Sequence, residues 1–356
     1  MKEQLKAEAI KLLIVLIQQP SFSGEENGTA DILASYLKKK EIPFERIKNN
    51  LVVKNDRFDI SKKTLLLNSH HDTVKPNSSW TYDPFGGIYI DGKIVGLGAN
   101  DAGASLVSLL ATFIYFYEYE LDYNLVLIMV AEEENFGPNG IKYVLKQITF
   151  PIHLAIVGEP TEMKMAIAEK GLLVIDATAK GVAGHAARPN GQNAIDMAMI
   201  DIQKINNYQF DKVSNNLGPV VKSVTQIQAG YQHNIIPDLC SFVIDVRVNE
   251  HYDLKTIVKI LQGLCDSELK ARSFNNMPSS ISVNHEIVKV GLGLGIETFG
   301  SPTLSDQVNI PCNSIKIGPG ISSRSHKSDE FVYGSEIEQG IEIYINLISN
   351  FLNSTK

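Results

Sequence analysis

Three short apolar runs, each ending in polar or charged residues, limit most strongly what this chain can fold into: TLLLNS at 64–69, NLVLIMVA at 124–131 and HLAIVG at 153–158. Each has the length of a strand buried on both faces and is too short for a core helix. Helical patterns lie between and before them. Ile10, Leu13, Ile14 and Ile17 recur at helical spacing, which predicts a helix over 3–18 stopped by Pro20, with further helices over 26–40 and 102–118. Strands alternating with helices make an α/β domain with a central, largely parallel sheet.

From about residue 170 the pattern changes. LLVIDATAKG (172–181), VKSVTQIQAG (221–230) and CSFVIDVRV (240–248) read as strands of antiparallel type, helices are predicted over 192–207 and 253–267, and polar SFNNMPSS closes the stretch. The buried-strand style returns in SIKIG (314–318), followed by a predicted helix over 335–353. The expected architecture is an α/β domain over 1–169 and 282–356, interrupted by an inserted α+β domain over 170–281.

Composition narrows the function classes. With 33 basic and 40 acidic residues the net charge is −7, which opposes nonspecific nucleic-acid binding. Cys240, Cys265 and Cys312 are odd in number and form no CxxC pair, so reduced, buried thiols are expected rather than a disulfide framework or a thiolate zinc site. LLIVLI (12–17) is too short for a secretory signal, and no run reaches the roughly 18 apolar residues of a membrane span. The expectation is a cytoplasmic protein with neither membrane nor nucleic acid as partner.

The chemistry-bearing residues gather where the buried strands end, the edge at which open α/β sheets bind ligands. His70, His71 and Asp72 follow the first strand. Alternation puts His70 and Asp72 on one face and His71 on the other, so His70 is a candidate metal ligand with Asp72 orienting its imidazole. Glu132, Glu133 and Glu134 follow the second strand, three carboxylates that repel unless a cation or solvent holds them. Glu159 follows the third. Asp101 sits at a glycine-flanked helix start, where an N-cap is the simpler reading, and His326 lies beyond Gly318-Pro319-Gly320 near Asp329 and Glu330. Together His70, Asp101, Glu134, Glu159 and His326 form a donor set suited to zinc or another first-row divalent ion, with room for two ions sharing one carboxylate.

These motifs resemble, in order and over nearly the whole chain, those of the zinc-dependent acylase and carboxypeptidase family that includes acetylornithine deacetylase, succinyl-diaminopimelate desuccinylase, aminoacylases and glutamate carboxypeptidase. The resemblance rests on SHHDTV (69–74), WTYDPF (80–85), DGKIVGLGANDAGA (91–104), EEENFGPNG (132–140), IVGEPT (156–161), GHAARPNGQNAI (184–195), NIIPD (234–238), DVR (245–247), LSDQVN (304–309) and GPGISSRSHKSDEF (318–331). It implies that His70 and Glu159 hold one divalent ion, Glu134 and His326 a second, and that Asp101 bridges them. The ions would be zinc, with cobalt or manganese as alternatives. Asp72 would orient His70, and Glu133 would be the general base; the register within the three glutamates comes from the family pattern. His185 and Asn234 match insertion-domain residues that complete the partner subunit's site in a homodimer. Arg247 matches an arginine that holds a substrate carboxylate.

Within the family the motifs look most like the acetylornithine deacetylase branch. That implies removal of an acetyl or succinyl group from an N2-acyl-ornithine-type substrate of arginine biosynthesis, with Arg188 or Arg324 as the extra cation for a succinyl group. The alternatives are a succinyl-diaminopimelate desuccinylase, a broader N-acyl amino acid acylase or peptidase, or a silent binding protein on the same fold. The presence of all five ligands and of Glu133 argues against the last. One departure is that Asp101 is followed by Ala102-Gly103 where many relatives have Met-Lys-Gly.

Overall fold

The structure, a computed structural model, describes residues 1–188 and 190–354. The chain divides into two compact units, one built from 1–167, 281–299 and the residues from 305 onward, the other from 168–280 and 300–304. The sequence reading keeps 300–304 with the first unit. The structure ties this segment to the second, where the Ser301 carbonyl accepts from the Lys170 N–H at 3.0 Å.

In the first unit the strands run in the order Phe44–Ile47, Asn50–Lys54, Asn124–Val130, Thr64–His70, Leu154–Val157, Asn313–Lys316 and Met165–Glu169. The middle four are parallel. The flanking pairings are antiparallel, so the parallel centre lies within a mixed sheet. Connection length is the reason on one flank. Only Lys48 and Asn49 separate Phe44–Ile47 from Asn50–Lys54, a turn that can join antiparallel neighbours but not a parallel pair.

Burial on both faces explains the uninterrupted apolar runs. Leu65, Leu67, Leu125, Leu127 and Met129 point into a core shared with the helices Lys2–Ile17, Asn27–Lys39, Ala104–Phe116 and Gly334–Ser354. Leu66, Val126, Ile128 and Val130 point the other way, toward Ile141 and Val144 of the helix Ile141–Gln147. The sequence reading gave no segment of membrane-spanning length. Ala99–Phe116 does reach it by length and apolarity, and 83% of that stretch is buried, so its apolarity serves the core.

The strand order places the site. From Thr64–His70 the chain passes to Asn124–Val130 on one side and then to Leu154–Val157 on the other, so the order reverses at Thr64–His70. A reversal of this kind opens a crevice at the carboxyl ends of the strands. His70 is the last residue of the strand at that point.

The second unit is a four-stranded antiparallel sheet, ordered Val221–Ala229, Leu239–Val248, Gly171–Lys180 and Glu268–Ala271, with the helices Ala194–Asn207 and Leu254–Gln262. Gly171–Lys180 alternates between buried and half-buried residues up to the exposed Lys180, as a sheet with one covered face requires. The helix predicted over 253–267 ends at Gln262. Gly263 follows, and the Gln262 side chain turns to bond the Ser267 carbonyl and the Leu269 N–H, which directs the chain into the next strand. Ser279 and Ser280 pair with Glu169 and Ala168, so the chain enters and leaves this unit on neighbouring strands. An insertion is tolerated where its ends are close.

Phe242 is 1% exposed in the core of the second unit, while Ser241 beside it faces outward. Phe242→Ala should therefore cost about 3–5 kcal/mol and Ser241→Ala within about 0.5 kcal/mol, measured by denaturant unfolding.

Candidate metal centre

His70 ends its strand with a side chain only 1% exposed. Its Nδ1 donates to the Asp72 carbonyl oxygen at 3.0 Å and lies 3.4 Å from Asp72 Oδ1. Its Nε2 is buried and has no hydrogen-bond partner. Around that nitrogen stand Asp101 Oδ1 at 3.5 Å, Glu159 Oε1 at 3.8 Å and Glu133 Oε2 at 4.0 Å. The other carboxylate oxygen of Asp101, Oδ2, lies 3.5 Å from His326 Nε2, which is also 3.0 and 3.2 Å from the two oxygens of Glu134. Asp101 thus faces one imidazole with each oxygen.

Such spacings suit a divalent ion. Bonds of about 2.0–2.1 Å to a tetrahedral centre put ligand atoms about 3.3 Å apart. Among the described residues, two groups of potential ligand atoms satisfy mutual separations within 4.8 Å: His70, Glu133 and Glu159, and His70, Asp101 and Glu134. A buried imidazole nitrogen with no hydrogen-bond partner, facing carboxylates, is a donor arrangement that a divalent cation satisfies. These residues therefore fit a divalent metal.

The electrostatics agree. Burial would lower the pKa of His70, yet Asp101, Asp72, Glu159 and Glu133 hold it well above the ordinary imidazole value. Burial pushes Glu159 up to about 8, aided by the charge of Asp101 and opposed by His70 and Lys316. Burial likewise lifts Glu133 well above the usual carboxylate range, with His70 opposing and Glu159, Asp306 and Glu134 adding to it. The hydrogen bond to Glu134 raises His326 to about 9. Imidazoles drawn toward protonation beside glutamates drawn toward neutrality express one deficit of positive charge.

Local structure decides which neighbours take part. Asp101 caps no helix; its backbone is non-helical (φ −116°, ψ 99°) in the kinked turn before Ala104–Phe116. His71 turns away from the cluster. Its Nε2 donates to the Asn49 carbonyl at 3.0 Å, its Nδ1 accepts from Thr29 Oγ1 at 2.8 Å, and burial lowers its pKa to about 4. Glu132 adopts a left-handed φ of 57° and spends its carboxylate on Asn139, through the backbone N–H at 2.9 Å and Nδ2 at 2.7 Å. A Cβ on Gly137 would come within 2.1 Å of Glu132 Oε2, so this turn needs glycine there.

Asp72 does more than orient His70. Its carboxylate accepts from the backbone N–H groups of Glu133 at 3.0 Å and Glu134 at 3.1 Å, and from Ser23 Oγ at 2.7 Å. It therefore ties the ends of two adjacent strands together. Burial opposes ionisation of Asp72, but His70, Ser23 and the Glu133 N–H outweigh it and hold the pKa low. Sequence spacing pairs Asp72 with His70; nothing in it signals Ser23, 49 positions away.

The remaining candidates have contacts of their own. Arg324, in the first unit, is bonded to Glu336 at 2.7 Å and stacked over the Phe331 ring at 4.4 Å. In the second unit, His185 pairs with Ile235, and the Ala186 N–H donates to the Asn234 carbonyl at 3.0 Å, so these two motif residues meet at one two-stranded sheet. His185 is exposed, with Nδ1 accepting from the Ala187 N–H, and Arg188 is exposed in the same turn. Arg247 makes a two-pronged contact with Asp245, at 2.8 and 3.0 Å. Cys240, Cys265 and Cys312 are free thiols, the first two buried.

Comparison with known proteins agrees with this architecture. The profile of a peptidase dimerisation domain matches residues 167–273, and that of peptidase family M28 matches 50–212. A succinyl-diaminopimelate desuccinylase of Cereibacter sphaeroides is 26% identical over 97% of this chain and 99% of that protein. A tripeptidase from Staphylococcus aureus superposes with a TM-score of 0.78 at 19% identity, over 98% of this chain and 99% of the other. An M20 family metallo-carboxypeptidase from Sulfolobus solfataricus gives a TM-score of 0.76 at 19% identity, over 97% and 99%. The chain has the M20 peptidase fold, with an α/β domain and a peptidase dimerisation domain.

Proposed function

We propose that this protein is a two-metal amide hydrolase that removes the acyl group from an N-acyl amino acid. One observation carries the reading: the orphaned His70 Nε2, facing Asp101 and Glu159, with Asp101 presenting its second oxygen to His326. His70 and Glu159 would hold one ion, Glu134 and His326 the other, and Asp101 both. Two such ions lower the pKa of a bound water and polarise a scissile carbonyl. Glu133 would take the proton of the attacking water and deliver it to the leaving amine. His185 would donate a hydrogen bond to the oxyanion of the tetrahedral intermediate, and Asn234 and Arg247 would contact the substrate.

For the acyl group we favour succinyl. The relatives named succinyl-diaminopimelate desuccinylase span this chain almost end to end. A succinyl carboxylate needs a cation not already engaged, and Arg324 and Arg247 each face a carboxylate of their own. Arg188, exposed beside His185, is the arginine we assign to it. An N2-acyl-ornithine substrate is the second reading, favoured by the segments WTYDPF, DGKIVGLG and HKSDEF. The working form would be a homodimer in the cytoplasm, zinc-loaded, with cobalt or manganese as substitutes.

The direct test is metal analysis with a substrate panel. The protein should carry about two equivalents of divalent metal per chain and lose activity to chelators. It should release succinate from N-succinyl-diaminopimelate faster than it releases acetate from N2-acetylornithine. An active protein free of such metals would remove the mechanism, and the reverse preference would select the second reading.

Both Glu133 and Glu134 lie near His70, so the division of labour between them needs its own test. Glu133→Gln should retain both metals while kcat falls by several orders of magnitude, whereas Glu134→Gln should also lose metal. The converse pattern would shift the register by one residue.

The role of His185 predicts activity shared between subunits. Loss of an oxyanion donor costs about a hundredfold to a thousandfold in kcat, so His185→Ala should be severely impaired with its metals in place. Subunit exchange between inactive His185→Ala and inactive Glu133→Gln should restore about a quarter of wild-type activity, since about half the dimers are mixed and each has one complete site. Verified exchange without recovery would exclude action across the dimer.

A further inference from the structure

Asp101 and His326 approach the centre from separate loops, and two buried side chains that touch neither imidazole fasten those loops together. Asn100, fully buried, reaches from the Asp101 turn into the loop that carries His326. Its Oδ1 accepts from the Ile321 N–H at 2.9 Å, and its Nδ2 donates to the Ile321 carbonyl at 3.1 Å and to Ser325 Oγ at 3.2 Å. Ser325 immediately precedes His326.

The return contact comes from Glu330, 2% exposed, four residues after His326. Its Oε1 accepts from the backbone N–H groups of Asn100 at 2.8 Å and Asp101 at 2.9 Å, and its carbonyl accepts from the Gly96 N–H at 2.9 Å. The strands Lys93–Val95 and Phe331–Tyr333 continue the contact as an antiparallel pair. The approach is close: a Cβ on Gly320, at φ +90°, would come within 2.4 Å of Asn100 Oδ1.

We propose that Asn100 and Glu330 are positioning residues, a reciprocal clasp that sets the distance between Asp101 and His326 and so the affinity of the centre for metal. The inference rests on the two-ion reading above and adds residues to which that reading gives no role. Each member controls a different ligand. Asn100 fixes the loop of His326, which serves one ion; Glu330 fixes the backbone of Asp101, which faces both. Removing a partner that orients a ligand typically costs 10–100-fold in metal affinity.

The test reads zinc directly. Zinc-loaded protein is equilibrated against buffers of graded free zinc, and bound zinc is counted per chain. Asn100→Ala should release one ion at about 10–100-fold higher free zinc than wild type while the other is held as before. Glu330→Ala should weaken both. Glu330→Gln, whose amide oxygen can accept the same two N–H bonds, should recover most of that loss, a rescue that a general loss of stability would not produce. Wild-type release by Asn100→Ala, or a Glu330→Gln as weak as Glu330→Ala, would overturn the clasp. If Glu330→Ala fails to fold, Asn100→Ala decides alone. A wild-type protein that binds no zinc would instead overturn the two-ion reading, and the clasp with it.

Discussion

A buried imidazole nitrogen without a partner, ringed by carboxylates, is the feature on which the rest of the structure depends. His70 Nε2 faces Asp101, Glu133 and Glu159 within 4.0 Å, and Glu134 stands against His326 a short distance away. Carboxylates this close repel, and burial withdraws the water that would screen them. Several members are fixed by contacts from outside the ring of carboxylates. Asp72 fixes His70 and the backbone of Glu133 and Glu134, and Glu330 fixes the backbone of Asp101. The same rigidity that resists repulsion keeps the donor atoms at metal-binding separations, so the charge deficit and the pre-organisation have one structural cause.

The sheet supplies the frame for this. Adjacent parallel strands end side by side, so residues far apart in sequence arrive at one edge: His70 at the end of one strand, Glu133 and Glu134 after the next, Glu159 after a third. Reversal of strand order at Thr64–His70 opens the crevice at that edge, and the strands pack against a core on each face. The loop with His326 follows the fourth parallel strand. The insertion leaves this frame intact because the chain departs and returns on paired strands, with the Ile281 N–H bonded to the Ile167 carbonyl.

Much of the fold was legible because burial writes itself into sequence. The doubly covered strands are continuous apolar runs, and the change to alternation after residue 170 marks a sheet with one covered face. Short elements left no such mark. The hairpin Phe44–Lys54 and the strands Ile88–Ile90, Lys93–Val95 and Phe331–Tyr333 are too brief for periodicity to register, and with the hairpin went the antiparallel flank of the sheet. At the site, residue type and strand-end position brought the imidazoles and carboxylates into view. Spacing alone did not separate Glu132 from its neighbours, because what removes it is a left-handed backbone and a bond to Asn139. Asn100 and Glu330 were visible as residues, but their contacts span 221–230 positions of chain, beyond any local pattern.

The two halves of the centre are unequal, and the inequality follows from where their ligands sit. The side chain of His70, on a central strand, is 1% exposed, whereas that of His326, on a loop with a left-handed φ of 59°, is 54% exposed. A strand held by ladders on both sides has little freedom to move its last residue. The loop has no ladder on either side of His326 and is held by scattered bonds, among them those of Asn100 and Glu330 and those of Asp329 to Thr81 and Tyr82. An ion held by His70 would therefore meet ligands already in place, and an ion held by His326 would meet a ligand whose position depends on the clasp. On the two-ion reading, affinity and exchange on the outer side would then be set by loop order, and those on the inner side by the core of the sheet.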